Sequence, residues 1–263
     1  MMMIQKNGRR LRMKPFDSDF ECMGFHYPEW DIRTSSVPDV SRSCFRAKKI
    51  LEGIVYDTVH LEGNPFTFPE VKTLLEGITV GGHKLSDERQ VLNQAKSWKT
   101  LLQIIQSREF DVNKETFCRL QAIVAEEEAM EWGQFRTGPV SIAGTGHIPP
   151  ASDDLDAVFN QGLAIMENIQ CPHKKGILFF LFGSLHQFFW DGNKRSSRLI
   201  MNGILLSSGY DVINIPAKKQ LEFNEKMIRF YDGRDGAEMI EFLISCSLDP
   251  DLKVYSGEIA TDP

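Results

Sequence analysis

The stretch from His186 to Arg198, HQFFWDGNKRSSR, combines an imidazole, a carboxylate, a Gly-Asn pair and several cations. Gly192 permits a turn that a Cβ would hinder, and Asn193 tolerates strained dihedral angles, so the backbone amides here can form a concave cradle. Because these amides open a helix, they have no partners within it and are directed outward, which suits an anion. The pattern therefore predicts a phosphate-binding site.

Three cations and one carboxylate extend this predicted site. Arg195 and Arg198 are spaced i, i+3 and share one helix face, and Lys194 adds a third positive charge, so several phosphate oxygens could be bound at once. Asp191 suits Mg2+, because this ion binds phosphoryl substrates through one or two carboxylates and water. His186 could accept the proton of an attacking hydroxyl group.

Each of these features also has a purely structural explanation. A histidine at a helix end often serves only as a cap, Asp-Gly-Asn is a common turn, and the basic run could be a solvated helix face. It is their coincidence within one short stretch that favours a functional site.

Composition narrows the class of protein. The chain has 263 residues, 42% of them hydrophobic, which is enough for a substantial core. A net charge of -6 argues against binding of nucleic acid or anionic lipid by bulk charge, so phosphate binding should be local. Five scattered cysteines without CxxC spacing are typical of a reducing compartment. Without a signal-peptide pattern or a bilayer-spanning apolar run, we expect a cytoplasmic protein with no membrane or direct nucleic-acid partner.

Hydrophobic periodicity predicts a mainly α-helical domain around the site. A first amphipathic helix starts near residue 41 and ends around Gly63. The helix that ends at His186 is apolar nearly all round, as expected for a central buried helix, and another follows Asp-Gly-Asn and reaches Gly209. Capping and periodicity predict further helices near residues 67–75, 86–105, 113–126, 218–230 and 237–246, and one that starts near residue 152.

The remaining segments have no helical periodicity. Residues 1–40 are expected to form an irregular N-terminal arm and residues 251–263 a C-terminal tail, which leaves 41–250 as the domain. Residues 132–150, WGQFRTGPVSIAGTGHIPP, combine glycine and proline with a short alternating stretch. This composition predicts a two-stranded hairpin or an extended loop.

Two motifs resemble those of the Fic/Doc family. HQFFWDGNKRSSR is similar to the family signature His-x-Phe-x-Asp/Glu-Gly-Asn-Gly/Lys-Arg-x-x-Arg, and Thr58 to Gly63 matches a second motif, Ser/Thr-x-x-x-Glu-Gly/Asn. The segment FRTGPVSIAGTGHIPPA resembles the stretch around the family's flap, the hairpin that docks the target protein. The resemblance covers about residues 41–247 in the same order, and it implies a Fic-fold helical bundle with a small β-hairpin flap.

The resemblance implies a protein adenylyltransferase, which transfers AMP from ATP to a Ser, Thr or Tyr hydroxyl of a target protein that could be the chain itself. It would make His186 the catalytic base and Asp191 the ligand of Mg2+. Ile142, Gly144 and His147 would lie on the flap that docks the target. Relatives often dimerise, so a homodimer is also allowed. The phosphate-binding residues implied in this way are Gly192, Asn193, Lys194, Arg195 and Arg198.

One departure from the family pattern concerns the base. The family histidine lies four residues before the acid, a position that Gln187 occupies here, whereas His186 lies five residues before Asp191. Either the loop contains one extra residue and His186 is the base, or an amide replaces the base and the protein binds nucleotide without transferring it. We favour His186, because the family histidine follows a branched apolar residue, as His186 follows Leu185.

The other departure is Lys194, which stands where most adenylyltransferases of the family have glycine. Lysine at this position is typical of the Doc branch, which transfers the γ-phosphate, so a protein kinase is an alternative. The length of the chain and the Glu62 segment favour transfer of AMP.

The match from Thr58 through Glu62 to Gly63 implies built-in inhibition. In the family this glutamate pairs with the second arginine of the signature, here Arg198, and so denies the γ-phosphate its partner. The resemblance thus makes residues 41–63 an inhibitory helix and Glu62 its switch. The plain alternative is a solvated glutamate on a surface helix.

Overall fold

The computed structural model describes residues 23–256, and within this range the chain is mainly α-helical. The predicted fold class is therefore confirmed. Its helices in chain order are α1 (Val40–Lys49), α2 (Leu51–Leu61), α3 (Phe68–Leu75), α4 (Leu85–Gln106), α5 (Lys114–Val124), α6 (Leu155–Glu167), α7 (Pro172–His186), α8 (Asn193–Ser207), α9 (Gln220–Gly233) and α10 (Ala237–Ile244). Short 3-10 turns at Ser152–Asp154 and Ala217–Lys219 precede α6 and α9.

Helices α7 and α8 form the centre of the domain. All residues of α7 from Gly176 to His186 are buried, which confirms the prediction of a central helix that is apolar all round. A Cβ atom at Gly183 would lie 2.2 Å from Oγ of Ser197, so glycine lets the two helices approach closely. Because α7 and α8 are consecutive, the turn between them carries the Asp-Gly-Asn motif out of the core.

The predicted first helix is two helices. Ile50 separates α1 from α2 and has non-helical dihedral angles, φ −106° and ψ 13°. Helix α2 then ends at Leu61, with Glu62 as its C-cap, and Gly63 follows in the left-handed region at φ +85°. The bend gives α2 its own direction and brings its C-terminal end to the α7–α8 turn.

The two strands of the described residues lie where the sequence predicted an irregular arm and a tail. Strand β1 (Trp30–Arg33) pairs antiparallel with β2 (Lys253–Ser256), with Trp30 opposite Ser256. Both segments are short, and neither has the long alternation that makes a strand recognisable from sequence.

The predicted β-hairpin flap is not formed, and residues 132–150 contain no strand. Pro139, Pro149 and Pro150 have no N–H to donate to a ladder. The polar groups of the segment bond to neighbouring helices instead, as the amide of Gly146 does to Oδ1 of Asp232 at 3.2 Å. The segment is an irregular loop packed on the helical body.

Within residues 23–256, none of the helices combines the length and the apolar character that crossing a bilayer requires.

Candidate active site

A cavity of about 490 Å³ opens at the N-terminal end of α8. It lies where the end of α2, the loop of residues 138–150, the α7–α8 turn and α9 meet. Its lining residues are Glu62, Ser141, Ile142, Ala143, Gln187, Trp190, Asp191, Gly192, Asn193, Lys194, Arg195, Asn224, Met227, Ile228 and Tyr231. It thus contains most of the residues that the sequence singled out.

The α7–α8 turn is held by the side chain of Asn193. Its Oδ1 accepts from the amide of Phe189 at 2.9 Å, and its Nδ2 donates to the Phe189 carbonyl at 2.8 Å and to Oε1 of Gln187 at 3.0 Å. Gly192 is the N-cap of α8 at φ +78°, a conformation that suits glycine, and no side chain of the described residues caps the helix. The first amides of α8 are therefore directed at the cavity without a capping side chain, as anion binding requires.

Asp191 lies at the mouth of the cavity. Its side chain is 58% exposed, and its Oδ1 accepts from the amide of Gly192 and lies 3.6 Å from Nη2 of Arg195. Within the described residues, no cluster of three or more His, Cys, Asp or Glu side chains could hold a metal by itself. One exposed carboxylate beside a phosphate cradle does fit Mg2+, which takes few protein ligands and completes its shell with phosphate and water.

Arg195 is buried against the end of α5. Its Nη1 donates to Oε2 of Glu128 at 2.8 Å and lies 3.4 Å from the Val124 carbonyl. Burial lowers the pKa of Arg195, but the charges of Glu128, Glu62 and Asp191 outweigh it and raise the pKa overall. Sequence reasoning missed Glu128, although the acidic run that follows α5 was a visible signal.

Arg198 is bonded to the C-cap of α2. Oε1 of Glu62 lies 2.9 Å from Nη2 of Arg198, and Oε2 lies 3.1 Å from Nζ of Lys194, so one carboxylate contacts two cations. Burial raises the pKa of Glu62, but the charges of Lys194, Arg198 and Arg195 outweigh it and lower the pKa to about 2. Nε and Nη1 of Arg198 are buried and have no hydrogen-bond partner among the described residues.

Thr58 and Gly63, the other residues that resemble the family's inhibitory motif, lie near Glu62. Thr58 is 6% exposed and lines a second, much smaller cavity beneath Arg198. Gly63 turns the chain away directly after Glu62. The motif thus places Glu62, and not Thr58, at the larger cavity.

The expectation that His186 faces the phosphate site is not met. His186 is 7% exposed, its Nε2 lies 2.9 Å from the Met23 carbonyl, and its ring packs against Phe182. Burial lowers its pKa to about 4, although the bond to Met23 opposes this. As the last residue of α7, His186 continues the buried face of the helix and points into the core.

Gln187 occupies the position beside the cavity instead. It has left-handed dihedral angles, φ 49° and ψ 61°, so the chain turns sharply after His186 and brings the next side chain to the cavity. Its Nε2 donates to the Ser184 carbonyl at 2.6 Å. This geometry corresponds to the ungapped alignment with the family signature, in which the base is replaced by an amide.

The three residues expected on the flap lie on the irregular loop. Ile142 lines the cavity. Gly144 has φ +84° and faces the side chain of Ile228, where a Cβ would lie 3.2 Å from Cδ1. His147 does not line the cavity, because its Nε2 bonds to the Leu185 carbonyl at 2.9 Å and its ring stacks on Tyr231.

Solved structures share this architecture. A Fic domain containing signaling protein from Bacteroides thetaiotaomicron superposes with a TM-score of 0.63 at 22% identity, over 78% of this chain and 86% of that one. Fic-1 (residues 134–508) from C. elegans superposes with a TM-score of 0.65 at 18% identity, over 79% of this chain and 62% of that one. The helical body thus has the Fic fold.

Sequence comparisons agree with the fold. Residues 111–205 match the Fic/DOC family. Two relatives named protein adenylyltransferase Fic, from Drosophila ananassae and Aedes aegypti, are each 24% identical over 81% of this chain and 44% of their own length. The chain thus spans less than half the length of these relatives, and its residues 111–205 are similar to the Fic/DOC family.

Proposed function

We propose that this chain is a protein adenylyltransferase that binds ATP in the cavity and transfers AMP to a hydroxyl group of a protein. The observation that carries the proposal is the uncapped N-terminus of α8, which opens into the cavity beside Lys194 and Arg195. Relatives with the name protein adenylyltransferase Fic support this reaction rather than another use of a phosphate site.

In the proposed reaction the hydroxyl oxygen attacks the α-phosphorus and pyrophosphate leaves. The amides of α8 hold phosphate oxygens, and the guanidinium groups of Arg195 and Arg198 balance their charge, so the chain contributes positioning and electrostatic stabilisation. Asp191 would hold Mg2+, which supplies further neutralisation of phosphate charge when it is bound.

The residue at the base position limits the rate. A carboxamide such as that of Gln187 does not accept a proton at neutral pH. The proton of the hydroxyl would therefore pass to water, and loss of a general base typically lowers a rate by about 10²- to 10⁴-fold. We accordingly propose slow transfer, with His186 excluded from the base role by its burial and its bond to Met23.

Glu62 restrains the proposed activity. Its carboxylate contacts Lys194 and Arg198, the two cations that would otherwise be open to the terminal phosphates of ATP. A carboxylate in this position competes with phosphate for the same guanidinium group. Productive binding of ATP would require α2 or the Glu62 side chain to move away.

A second candidate function is binding of nucleotide without transfer. The position of Gln187 beside the cavity favours it, because the side chain at the base position cannot abstract a proton. The protein kinase alternative rests on the lysine at position 194, which is typical of the Doc branch. In the structure this lysine forms an ion pair with Glu62.

The reaction would take place in the cytoplasm on a protein acceptor, with the chain itself as one candidate acceptor. Unpaired cysteines in the described part of the chain, Cys44, Cys118, Cys171 and Cys246, are in keeping with a reducing setting. A homodimer remains a prediction from the resemblance.

The test is the intact mass of the protein after incubation with ATP and Mg2+. Three chains are compared: the unaltered chain, Glu62→Gly, and Glu62→Gly with Gln187→His. Added AMP on Glu62→Gly supports slow transfer, and more AMP with Gln187→His supports the base position at residue 187. AMP only with Gln187→His indicates the nucleotide-binding candidate, and an added phosphate indicates the kinase. No addition to any chain that binds ATP would contradict both transfer reactions.

A further inference from the structure

We propose that Arg136 is a positioning residue that fixes the loop of residues 138–150 to residue 187, and that it acts on the protein acceptor and not on ATP. Residues 138–150 are called the acceptor loop below. The assignment to an acceptor rests on the proposed function, whereas the mechanical role of Arg136 stands on its contacts alone.

Arg136 is 2% exposed, and its guanidinium group binds three backbone carbonyls. Nη1 donates to Gly138 at 2.6 Å and Nη2 to Pro150 at 2.5 Å, so both ends of the acceptor loop meet on one side chain. Nε donates to the carbonyl of Gln187 at 2.6 Å. One side chain therefore closes the loop and ties it to the residue at the base position.

The charge of this guanidinium is balanced in an unusual way. Among residues 23–256, no carboxylate forms an ion pair with Arg136, and burial lowers its pKa. The compensation comes from three carbonyl dipoles in charge-assisted hydrogen bonds. A planar guanidinium fork can satisfy three acceptors in different directions, which the single ammonium group of a lysine cannot do with the same geometry.

Other contacts hold the middle of the acceptor loop. His147 bonds to the Leu185 carbonyl at 2.9 Å, and the amide of Gly146 bonds to Asp232 at 3.2 Å. Between these points and the Arg136 bonds, residues 141–143 line the cavity. The position of residues 141–143 relative to the α7–α8 turn thus depends on Arg136, which holds both ends of the acceptor loop, and on the contacts with Leu185 and Asp232 in its middle.

The two arginines of the proposed phosphate site have supports separate from Arg136. Arg195 is bonded to Glu128 and to the Val124 carbonyl, and Arg198 is bonded to Glu62. None of the described bonds of Arg136 reaches these groups. Loosening the acceptor loop should therefore leave ATP binding intact and displace the acceptor hydroxyl, and a displacement of about 1 Å can cost roughly 10²-fold in rate.

The experiment compares Arg136→Lys and Arg136→Gln with Arg119→Lys, all in the full chain with Glu62→Gly. Arg119 is an exposed residue of α5 and serves as the matched control. Three quantities are measured: hydrogen exchange of the acceptor-loop amides, the Kd for ATP with Mg2+, and AMP added to the chain itself at saturating ATP.

We expect both Arg136 variants to speed exchange of the acceptor loop by roughly tenfold or more, because buried hydrogen bonds are lost. The Kd for ATP should not change, and AMP transfer at saturating ATP should fall by about 10²-fold if the acceptor hydroxyl is displaced. Arg119→Lys should leave all three quantities unchanged.

Several outcomes would overturn the inference. Unchanged loop exchange would show that Arg136 does not hold the loop, and a weaker Kd for ATP would place its effect on the nucleotide. Faster exchange throughout the chain would make Arg136 a general core residue. If the Glu62→Gly parent binds ATP and takes up no AMP, the proposed transfer fails, and loop exchange together with the Kd for ATP still decides the role of Arg136.

Discussion

Helix α8 has two buried arginines with the same kind of partner in very different settings. Arg195 and Glu128 are joined at 2.8 Å, and Arg198 and Glu62 at 2.9 Å. Glu128 is held further by Nε2 of Gln90 at 3.1 Å, so its pair belongs to a network between α4, the end of α5 and α8. Glu62 is instead the C-cap of a short helix, and its carboxylate pairs with Lys194 and Arg198.

The Arg195–Glu128 pair is called the support, and the Glu62–Arg198 pair, which the proposed function would open, is called the gate. Arg195 is paired with a carboxylate that Gln90 also holds, and its side chain is 4% exposed, so in the proposed function it would be oriented before phosphate binds. Within residues 23–256, two buried nitrogen atoms of Arg198 have no hydrogen-bond partner, so in the proposed function Arg198 would exchange Glu62 for phosphate. Similar distances therefore do not imply similar roles.

The largest expected effect is the loss of stability when the Arg195–Glu128 pair is broken. Glu128→Gln should lower the free energy of unfolding by about 3–5 kcal/mol, because it removes the closest counterion of the buried charge of Arg195. Denaturation by urea measures this change. The control is Glu127→Gln, whose exposed pair with Arg89 should contribute less than about 1 kcal/mol. Equal losses for the two variants would remove the distinction between a buried support and a surface pair.

Removing the Glu62 carboxylate should change the affinity for ATP more than the free energy of unfolding. Glu62→Gly should strengthen ATP binding by about 10- to 100-fold, a coupling of roughly 1–3 kcal/mol, because Arg198 and Lys194 become free for phosphate. Calorimetric titration with ATP and Mg2+ measures the affinity. Glu52→Gly, on the same helix, is the matched control and should not change it. An affinity that stays the same in Glu62→Gly would mean that the ion pair does not compete with nucleotide.

The sequence anticipated the helices better than it did the contacts between them. Periodicity and caps located α3 to α10, and the predicted pair of Glu62 with Arg198 is present. The choice between His186 and Gln187 could not be made from spacing, because it depends on one left-handed residue that decides which side chain leaves the core. Arg136 escaped notice because its partners are carbonyls, which have no signature in a sequence.

Substitution of Lys194 should change the affinity for ATP less than substitution of Glu62. Lys194→Ala removes one of the two cations on Glu62, so the gate should weaken while one phosphate contact is also lost. Because the side chain is 29% exposed, each effect is expected to be below about 1 kcal/mol, and they oppose each other. ATP affinity should therefore change by less than about fivefold, far less than in Glu62→Gly. A change as large as that of Glu62→Gly would make Lys194 the dominant partner of the gate.

The smallest expected effect is that of pH on the gate near neutrality. The pKa of Glu62 is lowered to about 2 in the folded chain, from an ordinary value of 4.5, so its ion pairs contribute stability above the ordinary value and lose it as pH falls towards 2. Between about pH 5 and 8 the carboxylate stays charged, and the ratio of ATP affinities of Glu62→Gly and the unaltered chain should be constant. Titrations across this range measure the ratio. A ratio that falls towards one between pH 8 and 5 would show that Glu62 takes up a proton there, and the gate would then be a pH-sensitive contact rather than a permanent ion pair.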